Sequence, residues 1–508
     1  MLDYLKRLVV TGAAYQFGDI LAKALALLTL PLYTRHVSPQ GYGAAETLLT
    51  AVILVSILLR GGVGEAFIRF YFDDTDEERR SRIARTATAT VAWTTTLASL
   101  VAVAFSGGLS RLLLGYHDPL LIDCAVLGLW AFTNLEMAYA QLRVDERART
   151  YLYASAANVL LSVSLTITLV VFAGQGARGL LLGNFGASAV IVLALWWVLR
   201  RRFSLRARLS DLRAMLHFGL PTVPADASVY ALQVVDRFYL FRHYSHSSAG
   251  LYAVAIKLAT VVFVAVRGFQ YAWPPLAYSI ESDEEAAGLY SLVTTYYAVA
   301  TGVVVCAVAL LGRWMVRLLA APEFFGAHRA LPWLALGWSL YGLYIVFVAI
   351  SARARVTSRN FPAAACGLAV NVVLLLVLVP ASGAGLGSEG AGVALCGAYV
   401  AMLLVMYLLT RSLFSVSFQW RRLGQLTGLL AAIAVSGELL LPTSGLGGFA
   451  LRLAWLGLVP AALLLTRFFE PRELEGARAV LAEARRRVVD FRSGHGDLEA
   501  YSEDPLRE

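Results

Sequence analysis

Residues 31–60 read PLYTRHVSPQGYGAAETLLTAVILVSILLR. The stretch is the end of one apolar run, a short polar connection (Arg35-His36-Val37-Ser38), then Gly41-Tyr42-Gly43, and a second apolar run from Ala44 to Arg60. That second run holds one acidic residue, Glu46. It is continuous rather than alternating, and too long for a tilted barrel strand. In lipid a helix satisfies its own backbone within one segment, so the run predicts a membrane-spanning helix.

The same pattern fills the chain. Spans are expected at Thr11–Tyr33, Ala44–Arg60, Ala87–Phe105, Leu120–Ala140, Tyr151–Ala173, Gly179–Leu199 and Leu216–Phe241. Seven more are expected at Ala249–Leu276, Leu289–Gly312, Ala330–Ile350, Pro362–Pro380, Gly390–Thr410, Gln425–Leu441 and Gly448–Phe468. The fold class is therefore an all-α polytopic membrane protein with about 14 transmembrane helices. Composition agrees: 58% of the 508 residues are hydrophobic, 15% are charged, and mean hydropathy is +0.66. A soluble domain carries roughly a quarter charged residues. A soluble multidomain enzyme, a disordered chain and a small disulfide scaffold are excluded.

The net charge of +9 is read as topology, not as nucleic-acid binding. Arginine and lysine concentrate on the even-numbered connections and the termini, including Arg79, Arg80, Arg82 and Arg85, the group Arg200–Arg202, and Arg353, Arg355 and Arg359. Both termini are accordingly expected in the cytoplasm, with the chain multi-pass in a bacterial inner (plasma) membrane. The stretch Glu281–Glu285 is an acidic exception on a cytoplasmic connection. The tail from Glu470 reads as a polar cytoplasmic segment containing a basic amphipathic helix. Cys124, Cys306, Cys366 and Cys396 have no CxxC or CxxH spacing and read as buried free thiols. The N-terminal stretch, interrupted by Asp19 and Lys23, reads as an uncleaved first span.

The opening stretch has a second copy. Arg242-His243-Tyr244-Ser245 with Gly250-Leu251-Tyr252 repeats Arg35-His36-Val37-Ser38 with Gly41-Tyr42-Gly43 at a separation of 207 residues. Six spans lie between the copies, so both face the same side. This predicts two parallel six-helix lobes related by a pseudo-two-fold along the membrane normal. The expected organisation is 1–213 and 214–423 for the lobes, 424–469 for two additional helices, and 470–508 for the tail.

On these residues the chain resembles bacterial polysaccharide (O-antigen repeat-unit) flippases of the multidrug/oligosaccharidyl-lipid/polysaccharide exporter superfamily. The carrying residues are Pro31-Leu32-Tyr33-Thr34-Arg35, Ser38, Gly41-Tyr42-Gly43, Gly61-Gly62-Val63-Gly64 and Arg69-Phe70-Tyr71. The second half adds Phe218-Gly219-Leu220-Pro221, Pro224, Asp236-Arg237 and Gly250-Leu251-Tyr252. The resemblance extends to about Phe468. It implies a central cavity open alternately to each side and export of an undecaprenyl-pyrophosphate-linked oligosaccharide for surface polysaccharide biosynthesis.

Charges inside the spans are the strongest functional signal, because each costs several kcal/mol unless it faces a cavity or a partner. They concentrate on spans one, two, seven and eight, with Glu136 late in the fourth. Lys23, Arg60, Lys257 and Arg267 are the candidate substrate-binding residues, set to compensate a pyrophosphate; arginine forks two oxygens, lysine offers a point charge. Asp19, Glu46 and Asp226 are the candidate ion-coupling or charge-balancing residues. Asp19–Lys23 also reads as a plain intrahelical pair, Arg60 as a residue snorkelling to the interface, and Asp236-Arg237 as interfacial. Pro221 and Pro224 read as a helix start rather than a hinge, and Trp273-Pro274-Pro275 as a helix stop.

No nucleophile-elbow, zincin or Walker motif is present, so neither an enzyme nor a cofactor or metal is expected. The expected partners are a lipid-linked oligosaccharide, membrane lipids, H+ or Na+ as an energy source, and polysaccharide-assembly proteins. Two alternatives compete: a multidrug/cation antiporter of the same superfamily, whose site should be acidic and aromatic, and a membrane glycan polymerase or ligase, which should carry a large external loop. A lipid II flippase would differ only in cargo.

Overall fold

The computed structural model describes residues 21–72, 76–200, 206–232, 234–280, 282–354, 356, 359–412 and 415–469. Among them every regular element is helical. Residues 21–36 form α1. There follow α2 (Pro39–Arg60), α3 (Val63–Phe72), α4 (Glu77–Ala104), α5 (Ser106–Leu114), α6 (Pro119–Val144), α7 (Ala148–Ile167) and α8 (Gly176–Val198). The middle of the chain holds α9 (Leu209–Gly219), α10 (Val223–Leu232), α11 (Val235–His243), α12 (His246–Ser279) and α13 (Asp283–Leu319). The remainder is α14 (Leu331–Arg353), α15 (Asn360–Leu378), α16 (Gly387–Thr410), α17 (Trp420–Leu440), α18 (Gly445–Leu456) and α19 (Leu458–Leu465).

Among the described residues twelve helices are long and apolar enough to cross a membrane. They fall on twelve of the fourteen expected spans. The other two are the first and the seventh. Residues 11–20 of the first lie outside the described residues. The seventh is divided: α9 passes into a 3-10 turn at Leu220–Thr222, then α10, then α11. Proline explains the first break. Pro221 sits in the 3-10 turn and Pro224 in the first turn of α10, where a missing N–H costs nothing.

The repeated motif does the same local work twice. α1 ends at His36 and α11 at His243. Ser38 then caps α2, accepting from the Gly41 N–H at 3.2 Å, and Ser245 caps α12, accepting from the Ser248 N–H at 3.4 Å. Each cap satisfies one of the unpaired donors at a helix start.

Two sequence expectations change. α12 runs on to Ser279, past the Trp273-Pro274-Pro275 triplet expected to stop it. The acidic stretch is not a connection: Asp283, Glu284 and Glu285 form the first turn of α13, capped by Ser282. Carboxylates are favoured there by the helix dipole. Arg353 adds an ion pair to Asp283 at 2.8 Å.

The chain forms two compact units, Met1–Phe418 and Gln419–Glu508. The core of the first joins α2, α6, α8, α12, α14 and α16 through residues such as Leu48, Leu129, Phe185, Val254, Leu334 and Tyr399. In the second, α17 packs with α18 and α19. The tail from residue 470, with its expected amphipathic helix, lies outside the described residues.

Candidate functional site

Glu46 sits two turns into α2, 7% exposed, because the Ser38 cap and Pro39 fix where the helix begins. Its two carboxylate oxygens face different cations. Oε1 is 2.6 Å from the Lys257 ammonium on α12, and Oε2 is 3.7 Å from Arg237 on α11. The Tyr42 ring, one turn before Glu46, lies 5.0 Å below the same ammonium. Arg237 also donates to Thr50 at 3.4 Å, and Thr50 donates to the Glu46 backbone carbonyl. One carboxylate from the first half of the chain thus holds two cations from the second.

A second cluster lies further along α12. Lys23 on α1 and Arg267 on α12 both address the ring of Phe263, at 4.7 Å and 4.9 Å from its centroid. Trp338 packs against that ring at 4.4 Å, and Tyr341 meets Trp338 edge-on. Lys257 and Arg267 are ten residues apart, about 15 Å along a helix. The cations therefore form a line, not a point.

Asp236 is 1% exposed and accepts a hydrogen bond from the Tyr252 hydroxyl at 2.7 Å, with the Asn371 side chain of α15 beside it. It belongs to the packed interior of the protein. Asp19 lies outside the described residues, as does the side chain of Asp226. Arg60 is not part of either cluster. It ends α2, fourteen residues or about 21 Å from Glu46, and its buried Nε has no hydrogen-bond partner among the described residues.

Cavities border the ion cluster on two sides. One of about 240 Å³ is lined by Glu46, Lys257, Tyr33, Asn158, Ser162 and Asn184. Another, of about 100 Å³, is lined by Asp236, Arg237, Tyr252 and Tyr230. Both are smaller than the ~300 Å³ at which ligand pockets begin. A cleft of about 870 Å³ lies beside Ser38, lined by Gln40, Tyr116, Asp118, Asp123 and Arg178. Among the described residues no three potential metal-ligating side chains converge.

Sequence reasoning found Lys23, Glu46, Lys257 and Arg267 because charge in an apolar run stands out. It did not find Phe263, whose aromatic character is unremarkable in such a run. Nor did it assign Arg237 to Glu46, since the two are 191 residues apart.

A family profile described as "Polysaccharide biosynthesis protein" matches residues 32–319, more than half of the chain. A Haemophilus influenzae protein described as "Lsg locus putative protein 1" is 22% identical over 274 residues, 52% of this chain. The chain spans 64% of that relative's length, short of two thirds. Among solved structures, a lipid II flippase MurJ in an inward closed conformation superposes with a TM-score of 0.70 at 14% identity, covering 92% of this chain and 99% of the other. An inward-facing multidrug resistance MATE family transporter of the MOP superfamily gives 0.63 at 14% identity, covering 82% and 96%. These likenesses establish the fold: the all-helical architecture that these solved structures share.

Proposed function

Since the chain belongs to the polysaccharide biosynthesis protein family, we propose that it is an alternating-access flippase for an undecaprenyl-pyrophosphate-linked oligosaccharide. It carries the head group from the cytoplasmic to the outer leaflet of the bacterial inner membrane, in the service of surface polysaccharide synthesis, and makes or breaks no covalent bond. The two six-helix lobes, 1–213 and 214–423, rock against each other, while residues 424–469 stand apart from the cycle. Both termini are cytoplasmic.

One observation supports this above the rest: half-buried cations from both halves line up along α12, each against a carboxylate or an aromatic ring. A pyrophosphate brings several negative charges, and a water-poor site strengthens its attraction to Lys257, Lys23 and Arg267. Glu46 pairs with both Lys257 and Arg237 while the carrier is empty and offsets one of their two positive charges. An anionic cargo supplies the charge that Glu46 alone does not balance. The aromatic group Phe263, Trp338 and Tyr341 offers faces on which a sugar can lie. Arg60 stands at the cytoplasmic entrance, at the end of α2.

A multidrug or cation antiporter is the competing reading, favoured by the superposition with MATE transporters and by the buried carboxylates Glu46 and Asp236. Its site should attract cations, and here each of the two carboxylates lies against a partner already. Coupling to H+ or Na+ remains compatible with either. Complementation decides: the chain should restore surface polysaccharide to a strain lacking its own flippase. Lys257→Ala and Arg267→Ala should abolish that rescue at normal membrane abundance. Full rescue by both variants, or drug resistance without rescue, would overturn the reading.

A further inference from the structure

A transporter of this kind must be closed at one end of its path while the other is open, and this inference rests on the transport reading above. We propose that the two closures are crossings of glycine backbone, Gly43 on Gly250 at one end of α2 and Gly62 on Gly219 at the other. The described state has both of them shut.

At the Ser38 end, a Cβ on Gly43 would lie 2.6 Å from the His246 carbonyl oxygen and 2.8 Å from the Gly250 nitrogen. A Cβ on Gly250 would lie 2.0 Å from the Pro39 carbonyl oxygen. Gly43 and Gly250 are 207 residues apart, and so are Pro39 and His246. Each glycine therefore presses on the carbonyl that is the counterpart of the one pressing toward its own neighbour. A reciprocal contact between equivalent residues is what a two-fold axis produces. The Gly-Tyr-Gly and Gly-Leu-Tyr segments noticed in the sequence, near the starts of α2 and α12, are thus the two sides of one joint. Around it, Thr34 accepts from the Ala321 N–H at 3.1 Å, and Tyr42 meets Phe324 edge-on at 5.7 Å.

At the Arg60 end, a Cβ on Gly62 would lie 2.0 Å from the Gly219 carbonyl oxygen, and one on Gly219 would lie 2.2 Å from that of Gly62. Gly62 also has φ +70°, which disfavours any side chain. These two are not repeat counterparts. Their crossing is backed instead by Phe70 against Phe218 at 5.8 Å and by Arg82 with Asp211 at 3.2 Å.

Between the crossings lie the Glu46–Lys257–Arg237 cluster and its two small cavities. Contact of backbone on backbone excludes water and sugar, yet its own attraction is short-range packing, which is lost after a small separation. That suits a surface that must close tightly and part often. A side chain at any of the four glycines would wedge its own end and leave the other intact.

The test uses the full chain in membranes with a Leu49→Cys reporter on the wall of the 240 Å³ cavity, probed with a membrane-impermeant methanethiosulfonate. Gly43→Leu should open the reporter to reagent from one side of the membrane, and Gly62→Leu from the opposite side. Each should cut flippase complementation roughly tenfold or more by holding one state. Independently, disulfide cross-links in Thr34→Cys/Ala321→Cys and Phe70→Cys/Phe218→Cys should each stop transport when oxidised and release it on reduction. Reporter labelling from one side only in both leucine variants, or unchanged in both, would overturn the proposal. So would transport that survives either cross-link. Should the leucine variants fail to reach the membrane, the cross-linked pairs decide alone. Failure of the parent chain to complement would instead count against the transport reading itself.

Discussion

Glu46 illustrates how much one carboxylate can hold. With Lys257 at 2.6 Å and Arg237 at 3.7 Å, it is the common counterion of two cations that would otherwise repel each other in a poorly hydrated space. Removing one member of a buried ion pair costs about 3 kcal/mol, because the surviving charge loses its compensation. Glu46→Ala should therefore lower the melting temperature of the purified protein. Added inorganic pyrophosphate should recover more stability in the variant than in the parent, because the orphaned cations now want an anion; a thermal-shift titration reads this directly. Lys257 carries a different expectation. Lys257→Ala should abolish export, whereas Lys257→Arg, which keeps the charge and the reach to Glu46, should retain a measurable fraction of it in the complementation assay. Lys23, Glu46, Lys257 and Arg267 were legible in the sequence, since a charge in an apolar run needs a reason. Phe263 was not, because a phenylalanine there needs none.

At the scale of the element, the repeated Ser38 and Ser245 fix the register of α2 and α12, and through them the heights of Glu46 and Lys257. Loss of an N-cap hydroxyl costs about 1 kcal/mol. Ser245→Ala should destabilise by that amount in thermal melts, and Ser38→Ala likewise, without loss of the helical signal. In the second unit, Arg452 of α18 is fully buried. It reaches Glu438 of α17 at 2.7 Å and the carbonyls of Pro442 and Leu441 at 3.0 and 3.2 Å. It ties down the turn between the two helices by satisfying carbonyls left free at the end of α17. Arg452→Met should leave those carbonyls without their donor and raise proteolytic nicking at residues 441–445, measured by limited proteolysis of the full chain. Prolines act at the same scale. Pro221 and Pro224 stand where an expected single span gives way to a 3-10 turn and a new helix start, while Pro274 and Pro275 did not end α12. The sequence shows the missing N–H in both places. Whether the freed carbonyls find other partners depends on neighbours that the sequence does not list.

For the whole molecule, the arginine bias predicts the connection after α8 in the cytoplasm and the one after α7 outside. Labelling of single cysteines checks this. Gln175→Cys should react with an impermeant thiol reagent in intact cells, and Arg206→Cys only after permeabilisation. Reaction at both positions from outside would contradict the assigned orientation. Twelve helices meet the length and hydropathy expected of a span among the described residues, and the paired motif 207 residues apart anticipated two equivalent helix starts. Arg60 and Arg267 share that separation, yet one ends α2 while the other lies deep in α12 beside Phe263. Equivalence by repeat therefore does not carry equivalence of surroundings.

The amino-acid sequence by itself determined the solvent this chain folds in, the helical class, the repeat and the presence of unexpected charge. Each of these follows from local composition and period: a long apolar run must satisfy its own backbone wherever it sits in lipid. Only the tertiary structure decided that Glu46 pairs with Lys257 and Arg237, that Lys23 and Arg267 share one aromatic ring, and that α2 is crossed by glycine at both ends. Apart from Arg267 on Phe263, those contacts join residues that lie about 150 to 250 positions apart, and Coulomb attraction, ring faces and van der Waals exclusion act over a few ångströms of space, without regard to distance along the chain.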